Sequence, residues 1–339
     1  MTNFPITVLN PDGRDPARDF SDYAGEPRAD GHPPVNFHAY AACTGGSFER
    51  NVAAAIGRER PVLVLIRSDF TAAHKAVDAL RRADLPVAVT LKETGFHQVA
   101  GQLASPRKLG RLREILAMCD GVISPTEPLL PFYAALAPHL KDRLVFIPTP
   151  YPVESEAWDF SRPLADRSGI FLGTREFSVV SRNHLQALVT AGALARQADT
   201  RISFINEEGR RAKKYLERLE LPAELVNPLP RRDYPAYLAT VAEHRVVFQL
   251  DLSQVPGQIA GDAVLCRLPC LGGNGAVDQL VWPEYAALDR SALLAETGRL
   301  LQDDEYYRQT VAAAGRRAEA VISFAAGRAA LVDFFLYIS

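Results

Sequence analysis

The sequence predicts an α/β protein built around two parallel sheets. Short apolar runs of strand length alternate with amphipathic segments of helix length over nearly the whole chain. Such a βα rhythm is typical of parallel sheets that carry helices on both faces. A length of 339 residues is enough for two domains of ordinary size, and a proline-rich, polar stretch at 148–168 separates two series of elements.

The composition narrows the class of protein. Apolar residues make up 47% and charged residues 23% of the chain, which is typical of a globular protein that buries a sizeable core. The formal net charge of −2 gives no support for a nucleic-acid partner, which needs a basic face. No apolar run reaches the length of a membrane span and no signal-peptide pattern begins the chain, so we expect a cytoplasmic protein. The four cysteines are scattered, and we expect buried thiols rather than a zinc site.

The first series of elements follows an irregular beginning. Residues 6–9 are a strand candidate, whereas 10–34 are rich in Asp, Arg, Gly and Pro and are predicted to form a long loop, either disordered or functional. Alternation then predicts strands at 35–41, 61–66, 86–91, 121–124 and 144–147. Helices are predicted at 49–56, 71–83, 109–118 and 128–136.

The second series begins after the linker. Strands are predicted at 169–172, 201–205, 224–226 and 246–250, and helices at 183–196, 208–219, 232–242, 262–268 and from about 292 onward. We therefore expect a first domain over 1–152, a second domain over 153–322 and a terminal helix at about 323–339.

One stretch of the second series has the features of a ligand site. The strand at 246–250 ends in a loop that contains Pro256, Gly257 and Gly261, and a helix follows. Ligands of open α/β sheets bind at such loops, where the start of the helix offers N–H groups and a positive dipole end to a phosphate. The glycines and proline of this loop are equally typical of an ordinary βαβ connection without a ligand.

The same stretch resembles the nucleotide-sugar site of GT-B glycosyltransferases, especially the retaining family four. That family shows a Glu, seven intervening residues, a second Glu, a helix of small residues, a Pro, a strand and Gly-Gly. Gln254, Asp262, Pro269 and the pair Gly272-Gly273 stand in this register, with Gln in place of the first Glu and Asp in place of the second. In element order the resemblance covers most of residues 36–339. It implies two Rossmann-like domains that face each other across a cleft, with a terminal helix that crosses back to the first domain.

The resemblance implies a set of donor-binding residues. Arg175, which follows Gly173, and Arg182 stand near the family's Arg and Lys, so both guanidiniums are expected to clamp the diphosphate. The alternative is a solvated loop with ordinary surface arginines. Asp262 is expected to accept hydrogen bonds from the ribose hydroxyls. The remaining donor contacts that the resemblance implies are Asn227 and Leu229 at the base, and Gly257 and Gln258.

Gln254 holds the place of the family's first Glu, which binds the donor sugar and supports positive charge at the reacting carbon. Glutamine keeps the hydrogen bonds and loses the charge. Three alternatives stay open: a changed donor preference, a slower enzyme, or a protein without transferase activity. Gln258 is a candidate to share the role of Gln254.

The first domain is expected to bind the acceptor. Gly45 and Gly46, followed by Glu49, resemble the family's Gly-Gly-x-Glu turn, in which glycines let the backbone approach the ligand. Lys92 and His97 follow the third predicted strand, near the place where related enzymes put a His that faces the sugar. A lone His is more often structural.

The function that the resemblance implies is transfer of a sugar from a nucleotide-diphosphate sugar to a saccharide, lipid-linked or other glycan acceptor, with retention and without a metal or other cofactor. The sequence contains no Asp-x-Asp motif. The alternative is a non-catalytic GT-B-like module that binds a sugar nucleotide or a partner protein, since both family glutamates are replaced. A sugar-nucleotide epimerase is a third candidate.

Residues 105–116 form a basic amphipathic segment, and the resemblance makes it a candidate for peripheral contact with anionic lipids at the inner face of a membrane. The ordinary alternative is a solvated helix that directs Leu109, Leu112 and Leu116 into the core.

Overall fold

The computed structural model of the chain describes residues 4–29, 32–219, 221–286 and 288–339, with the backbone alone at 211. Among these residues the chain forms two sheets, one in each predicted half. The first has seven strands: β1 (Thr7–Leu9), β2 (Arg18–Asp19), β3 (Ser47–Glu49), β4 (Val62–Ile66), β5 (Val87–Leu91), β6 (Gly121–Ser124) and β7 (Leu144–Phe146). The second has five: β8 (Ile170–Leu172), β9 (Ile202–Ile205), β10 (Val226–Leu229), β11 (Val246–Phe248) and β12 (Cys270–Leu271).

Both sheets follow the order of doubly wound α/β folds. The first runs β2-β3-β1-β4-β5-β6-β7 and is parallel apart from its short edge strand β2. The second runs β10-β9-β8-β11-β12 and is parallel throughout. The order reverses between β1 and β4 in the first sheet and between β8 and β11 in the second. At such switch points the loops after neighbouring strands diverge and leave a crevice for a ligand. The predicted α/β class with two parallel sheets is confirmed.

Helices cover the two sheets. Those of the first half are α1 (Phe37–Ala42), α2 (Val52–Gly57), α3 (Thr71–Arg82), α4 (Phe96–Leu103), α5 (Pro106–Met118) and α6 (Leu130–Leu136). The second half contributes α7 (His184–Gln197), α8 (Arg210–Arg218), α9 (Tyr234–Val241), α10 (Gln258–Leu265), α11 (Ala276–Val281), α12 (Pro283–Ala286), α13 (Arg290–Gln302) and α14 (Asp304–Val321). The last helix is α15 (Phe324–Ile338).

Two predicted strands differ from the structure: the strand expected at 224–226 is found at Val226–Leu229, and the strand expected at 35–41 is a helix. Residues 35–41 were expected to be extended, but α1 occupies Phe37–Ala42. All six residues of this helix are buried, so the sequence lacks the alternation of polar and apolar faces that indicates a helix. The strand of this region is β3, a few residues later, and α2 begins at Val52 rather than at residue 49.

The terminal helix α15 packs on the first half, as the resemblance implies. Arg328 donates from Nε to the carbonyl of Cys43 at 2.7 Å. A Cβ atom at Gly327 would lie 2.5 Å from Cγ of Pro150, so only glycine allows this approach. The crossing of the helix to the first half is therefore confirmed. The division of the chain at residue 152 stays a prediction.

Helix α5 directs Leu112, Ile115 and Leu116 into the core of the first half. Its exposed positions include Arg107 and Arg113. In the described part of the chain, no helix combines the length and the apolar character needed to cross a membrane.

Candidate functional site

A cavity of about 570 Å³ lies between the two halves, at the carboxyl ends of both sheets. The first half lines it with the segments that follow β1 and β5 and with the start of α1. The second half contributes the loops after β8, β10 and β11 and the start of α10. Both switch points therefore open into one space, which is the position expected for the ligand of two facing doubly wound domains.

Asp262 lies on the wall of this cavity that belongs to the second half. It stands one turn into α10 and is 1% exposed. The hydroxyl of Tyr234 donates to Oδ1, whereas Oδ2 has no hydrogen-bond partner among the described residues. Burial raises the pKa of Asp262 to about 7, against the opposing effect of its hydrogen bonds. This oxygen is therefore a buried hydrogen-bond acceptor that the described residues leave unused.

Two further carboxylates, which the sequence analysis did not single out, lie beside the same wall. Asp251 follows β11 and forms an ion pair with Arg182. Asp278 stands in the first turn of α11, where Oδ1 accepts from Nε2 of Gln249 at 2.9 Å. Burial, with the nearby charge of Asp251, raises the pKa of Asp278 to about 7. Both carboxylates line the cavity.

The glycines of the motif make room for Asp278. A Cβ atom at Gly273 would lie 2.2 Å from Oδ1 of Asp278. At Gly257, φ is +88°, and a Cβ atom would lie 3.0 Å from Oδ2 of the same residue. An acidic residue a few positions after Gly-Gly was thus a sequence signal for Asp278. An ordinary helix start also carries an acidic residue at such a position, so the signal is not specific.

Basic side chains converge on the cavity from the second half. Arg175 forms long ion pairs with Glu176 at 3.6 Å and Glu207 at 3.4 Å, while Arg182 is held by Asp251. Arg231 and Arg232, in the loop after β10, are exposed and have no carboxylate within ion-pair distance among the described residues. These four guanidiniums bring positive charge to this wall of the cavity.

The long segment after β1 builds the opposite wall. Asp15 forms an ion pair with Lys92 and accepts from Nδ2 of Asn10 at 2.8 Å. The rings of His32 and His38 are stacked with centroids 3.8 Å apart. Burial lowers the pKa of His38 to about 3, so this ring is neutral near pH 7. The segment was predicted to be disordered or functional, and its described part lines the cavity.

Hydrogen bonds join the halves around the cavity. Nδ2 of Asn36 donates to Oε1 of Gln258 at 3.1 Å, and the N–H of Phe96 donates to the carbonyl of Ser253 at 3.2 Å. Nδ1 of His97 and Oγ of Ser181 lie 3.1 Å apart. His97 therefore stands at a contact between the halves.

The structure brings part of the predicted site together. The predicted residues that line the cavity are Lys92, Gly173, Arg175, Arg182, Gly257, Gln258 and Asp262. The predicted residues that do not line it are Gly45, Gly46, His97, Asn227, Leu229 and Gln254.

Local geometry explains several of these positions. Gly46 packs under the N-terminal strand, where a Cβ atom would lie 1.9 Å from the carbonyl oxygen of Ile6, and Gly45 faces the ring of Tyr23. Asn227 and Leu229 belong to the edge strand β10, whereas the cavity begins beyond the carboxyl end of that strand.

Gln254 faces a small neighbouring pocket, which also contains Glu127. Its N–H donates to Oδ1 of Asn274 at 2.9 Å, and its Oε1 has no hydrogen-bond partner in the described part of the chain. The role of Gln254 at the reacting carbon stays a prediction. Among the described residues, no group of three or more His, Cys, Asp or Glu side chains is placed to hold a metal ion.

No protein-family model and no curated protein sequence matches the chain. Several solved structures, however, are similar to this chain. HepE of Anabaena in complex with UDP is 14% identical over 98% of this chain and 100% of its own, with a TM-score of 0.60. Sucrose-phosphate synthase of Thermosynechococcus elongatus is 17% identical over 99% of both chains, with a TM-score of 0.63. A UDP-forming α,α-trehalose-phosphate synthase of Burkholderia xenovorans is 13% identical over 100% of this chain and 99% of its own, with a TM-score of 0.60. This likeness over whole chains shows that the protein has the GT-B fold.

Proposed function

We propose that this protein is a glycosyltransferase that moves a sugar from a nucleotide-diphosphate sugar to a hydroxyl of an acceptor. The observation that carries the proposal is the buried carboxylate of Asp262, which lines a cavity at the switch point of the second sheet and has an oxygen without a hydrogen-bond partner among the described residues. Similar structures support it, because HepE was solved with UDP and the trehalose-phosphate synthase is named as UDP-forming. Function is a property of the site rather than of the fold, so the proposal rests on these residues.

The donor lies along the second half in this proposal. Oδ2 of Asp262 accepts a ribose hydroxyl, and Arg231 and Arg232 flank the base and ribose. The predicted base contacts, Asn227 and Leu229, stand on the strand that leads into this loop. The N-terminal end of α10, at Gly257 and Gln258, directs backbone N–H groups toward the diphosphate.

Arg175 and Arg182 stabilise the departing diphosphate. Transfer breaks the bond between the anomeric carbon and a phosphate oxygen, so negative charge grows on the diphosphate while the sugar becomes oxocarbenium-like. Fixed guanidiniums lower the energy of that arrangement because they are oriented before the charge develops. The ion pair with Asp251 keeps Arg182 in place.

The acceptor enters along the first half. Asp15 and Lys92 form the polar pair on that wall, and the ring of His32, which is stacked on the buried ring of His38, provides a flat surface beside it. Planar rings and paired polar groups suit the apolar face and the hydroxyls of a sugar. We include retention of anomeric configuration and a role for Gln254 and His97 in the proposal, on the resemblance alone.

Calorimetric titration with UDP tests the donor site. We expect the wild type to bind UDP, and Asp262→Ala to weaken binding at least tenfold, because a charge-assisted hydrogen bond contributes about 1.5–3 kcal/mol. The matched control is Asp78→Ala, which removes a partly exposed aspartate of α3 outside the cavity. Absence of binding at millimolar UDP, or equal affinities for the two variants, contradicts the site.

Turnover is tested separately. Nucleotide sugars are incubated with the protein, with and without simple acceptors, and release of nucleoside diphosphate is followed. Slow release that depends on Arg175 and Arg182 supports the transferase. Tight binding without release for any donor identifies a binding module, and an isomerised sugar nucleotide identifies an epimerase.

The route to a lipid-linked acceptor is also part of the proposal. The exposed face of α5, which includes Arg107 and Arg113, would contact anionic lipids. Flotation with vesicles of zwitterionic lipid, with and without an anionic lipid, measures this contact. Binding that does not change with the anionic fraction, or with Arg107→Ala and Arg113→Ala, rules it out.

A further inference from the structure

The second half contains another cavity, which the proposed function does not use. It has a volume of about 790 Å³ and lies between the linker, the C-terminal end of α10 and α14. We call it the arginine groove. Its charged lining residues are Arg162, Arg167, Arg267, Arg308, Arg316, Glu154 and Glu319.

The charge balance of the groove is strongly positive. Five arginines face two glutamates, and Glu154 already accepts from the backbone N–H groups of Phe324 and Ala325 at the start of α15. Arg162 and Arg267 have single carboxylate partners at 3.4 Å, outside the groove lining. These are long, partly exposed ion pairs that compete weakly with a ligand.

Arg308 and Arg316 are the most available of these cations. Among the described residues, Arg308 has ion pairs only with Asp304 and Glu305, both at 3.8 Å and on its own helix. Arg316 has no ion pair in the part of the chain that the structure describes. The two stand eight residues apart on α14, close to two helical turns, so both can face one ligand.

Arg167 makes this groove different from an ordinary basic surface. It is 6% exposed, yet no carboxylate lies within 4.0 Å of it among the described residues. Its partners are uncharged: the carbonyls of Arg162 at 2.9 Å and of Cys266 and Arg267 at 3.0 Å, and the hydroxyl of Tyr307 at 3.2 Å. A buried charge of this kind is costly unless an opposite charge compensates it.

We propose that the arginine groove is a second ligand site, for a small molecule that carries a phosphate or diphosphate group. Planar guanidiniums bind phosphate oxygens in pairs, and three or more of them around one space form a phosphate site. Arg167 lies at the bottom of the groove and donates hydrogen bonds to the C-terminal end of α10. The exposed side chains of Arg308 and Arg316 provide the contacts that adjust to the ligand. This site is independent of the cleft between the halves.

Inorganic pyrophosphate is the probe. It is titrated calorimetrically into the wild type in the presence of excess UDP, which competes for the cleft. We expect one pyrophosphate site that UDP does not displace. Arg308→Ala combined with Arg316→Ala should weaken this site at least tenfold, because each change removes charge-assisted hydrogen bonds. Both side chains are exposed, so the double variant should keep the thermal stability of the wild type within about 2 °C.

The matched control is Arg82→Ala combined with Arg196→Ala, which removes the same net charge from exposed positions on α3 and α7. Equal weakening in the two double variants would mean a general charge effect and overturn the proposal, as would the absence of any site that UDP leaves in place. If UDP itself fails to bind, comparison of the same two double variants still tests whether the groove binds pyrophosphate. Asp262→Ala tests the donor site in the cleft separately. Flotation with vesicles that contain phosphatidylglycerol separates a soluble ligand from a lipid headgroup: binding lost in the Arg308/Arg316 variant would overturn the small-molecule assignment.

Discussion

Tyr234 donates its hydroxyl to Oδ1 of Asp262 and leaves the other oxygen of that carboxylate free. The tyrosine is partly buried, on the first turn of α9, and packs against the core of the second half, so both partners are held in place before a ligand arrives. A carboxylate oriented in this way binds a hydroxyl without first losing freedom of its own. In the proposed function the pair therefore connects the protonation of Asp262 to the affinity for a nucleotide.

The first prediction concerns the pH dependence of UDP binding. The pKa of Asp262 is raised to about 7 by burial, so the residue changes from mainly neutral to mainly charged between pH 6 and pH 8. The charged form accepts hydrogen bonds from the ribose more strongly. We expect the ratio of the UDP affinities of wild type and Asp262→Asn to rise roughly five- to tenfold over this range. The ratio is used because ionisation of UDP and of Asp278 affects both proteins alike. A flat ratio contradicts the role of Asp262.

A second prediction follows for stability. The pKa of Asp262 in the folded protein is higher than the ordinary value of 3.8, so the folded state binds more protons than the unfolded state between about pH 4 and pH 7. The contribution of Asp262 to stability is therefore greatest below this window and falls as the pH rises through it. Asp262→Asn avoids the loss. Since one pKa unit corresponds to about 1.4 kcal/mol, its advantage should grow from near zero at pH 4 to the order of 1–4 kcal/mol at pH 8.

Urea unfolding of the two proteins across this pH range measures the effect. The same asparagine variant should bind UDP less well, so stability and ligand binding change in opposite directions, as is common for groups retained for function. An asparagine variant that is less stable than the wild type at pH 8 would falsify the linkage.

These features of Asp262 show what the sequence could and could not predict. The small-residue helix with Asp262, bounded by Gly257 and Pro269, was recognisable because glycine and proline act locally on the backbone. Asp251 and Asp278 were missed because each lines the cavity only once the chain is folded. Their positions differ by 27 in the sequence, so no local pattern connects them. Lys92 was predicted, whereas its partner Asp15 lies in an irregular segment in which no period identifies individual residues.

The fold, like the site, could be predicted from the sequence only where a local pattern of residues determines the structure. The parallel strands β4, β5 and β8 are short apolar runs, and each one is found where it was predicted. Helix α1 was predicted as a strand because it is buried on every side. Its position under α15 depends on a contact with the far end of the chain, such as that between Cys43 and Arg328, which no local pattern shows.

The third prediction uses two glycines in helices. A Cβ atom at Gly261 would lie 1.9 Å from Cζ of Tyr151, whose ring is fully buried between the linker and α10. We expect Gly261→Ala to destabilise the protein by about 3 kcal/mol or more, because the ring has no space into which to move. At Gly298 on α13 nothing lies within 4 Å of the added atom, so Gly298→Ala should stabilise by about 0.5–1 kcal/mol through helix propensity. Equal effects in urea unfolding contradict this packing.

The fourth prediction concerns two arginines that line the same cavity. Arg182 is the ion-pair partner of Asp251, which is 4% exposed. Arg182→Ala leaves that carboxylate buried without its cation, which costs about 3–5 kcal/mol. Arg231→Ala removes an exposed arginine and should change stability by less than about 0.5 kcal/mol. Adding Asp251→Asn to Arg182→Ala should recover most of the loss, since the buried charge is then absent. Additive effects of the two changes in a double-mutant cycle contradict the coupling.

The fifth prediction concerns closure of the cleft. The hydrogen bonds between Asn36 and Gln258 and between His97 and Ser181 exist only while the halves are close. In the proposed function a nucleotide sugar enters between them, so opening has to break these bonds, and binding should restore them. In the linker at 153–168, Trp158 is buried and donates from Nε1 to the carbonyl of Gly25 at 2.8 Å, while the N–H of Phe160 donates to the carbonyl of Leu265 at 2.9 Å. This segment is thus attached to both halves and has to rearrange when they separate.

We therefore expect saturation with UDP to reduce the radius of gyration and to slow hydrogen exchange in 153–168 and 253–262. Asp262→Ala, which cannot hold the ribose, should show neither change, while Ser181→Ala should still bind UDP and compact less completely. Trp158 gives an independent signal, because loss of its contact with Gly25 would expose the indole and shift its fluorescence to longer wavelength. Trp282, fully buried in the second half, is removed by Trp282→Phe so that this signal comes from the linker alone. If scattering, exchange and fluorescence are all unchanged on saturation, the cleft does not close, and the hydrogen bonds between the halves are permanent parts of a rigid protein.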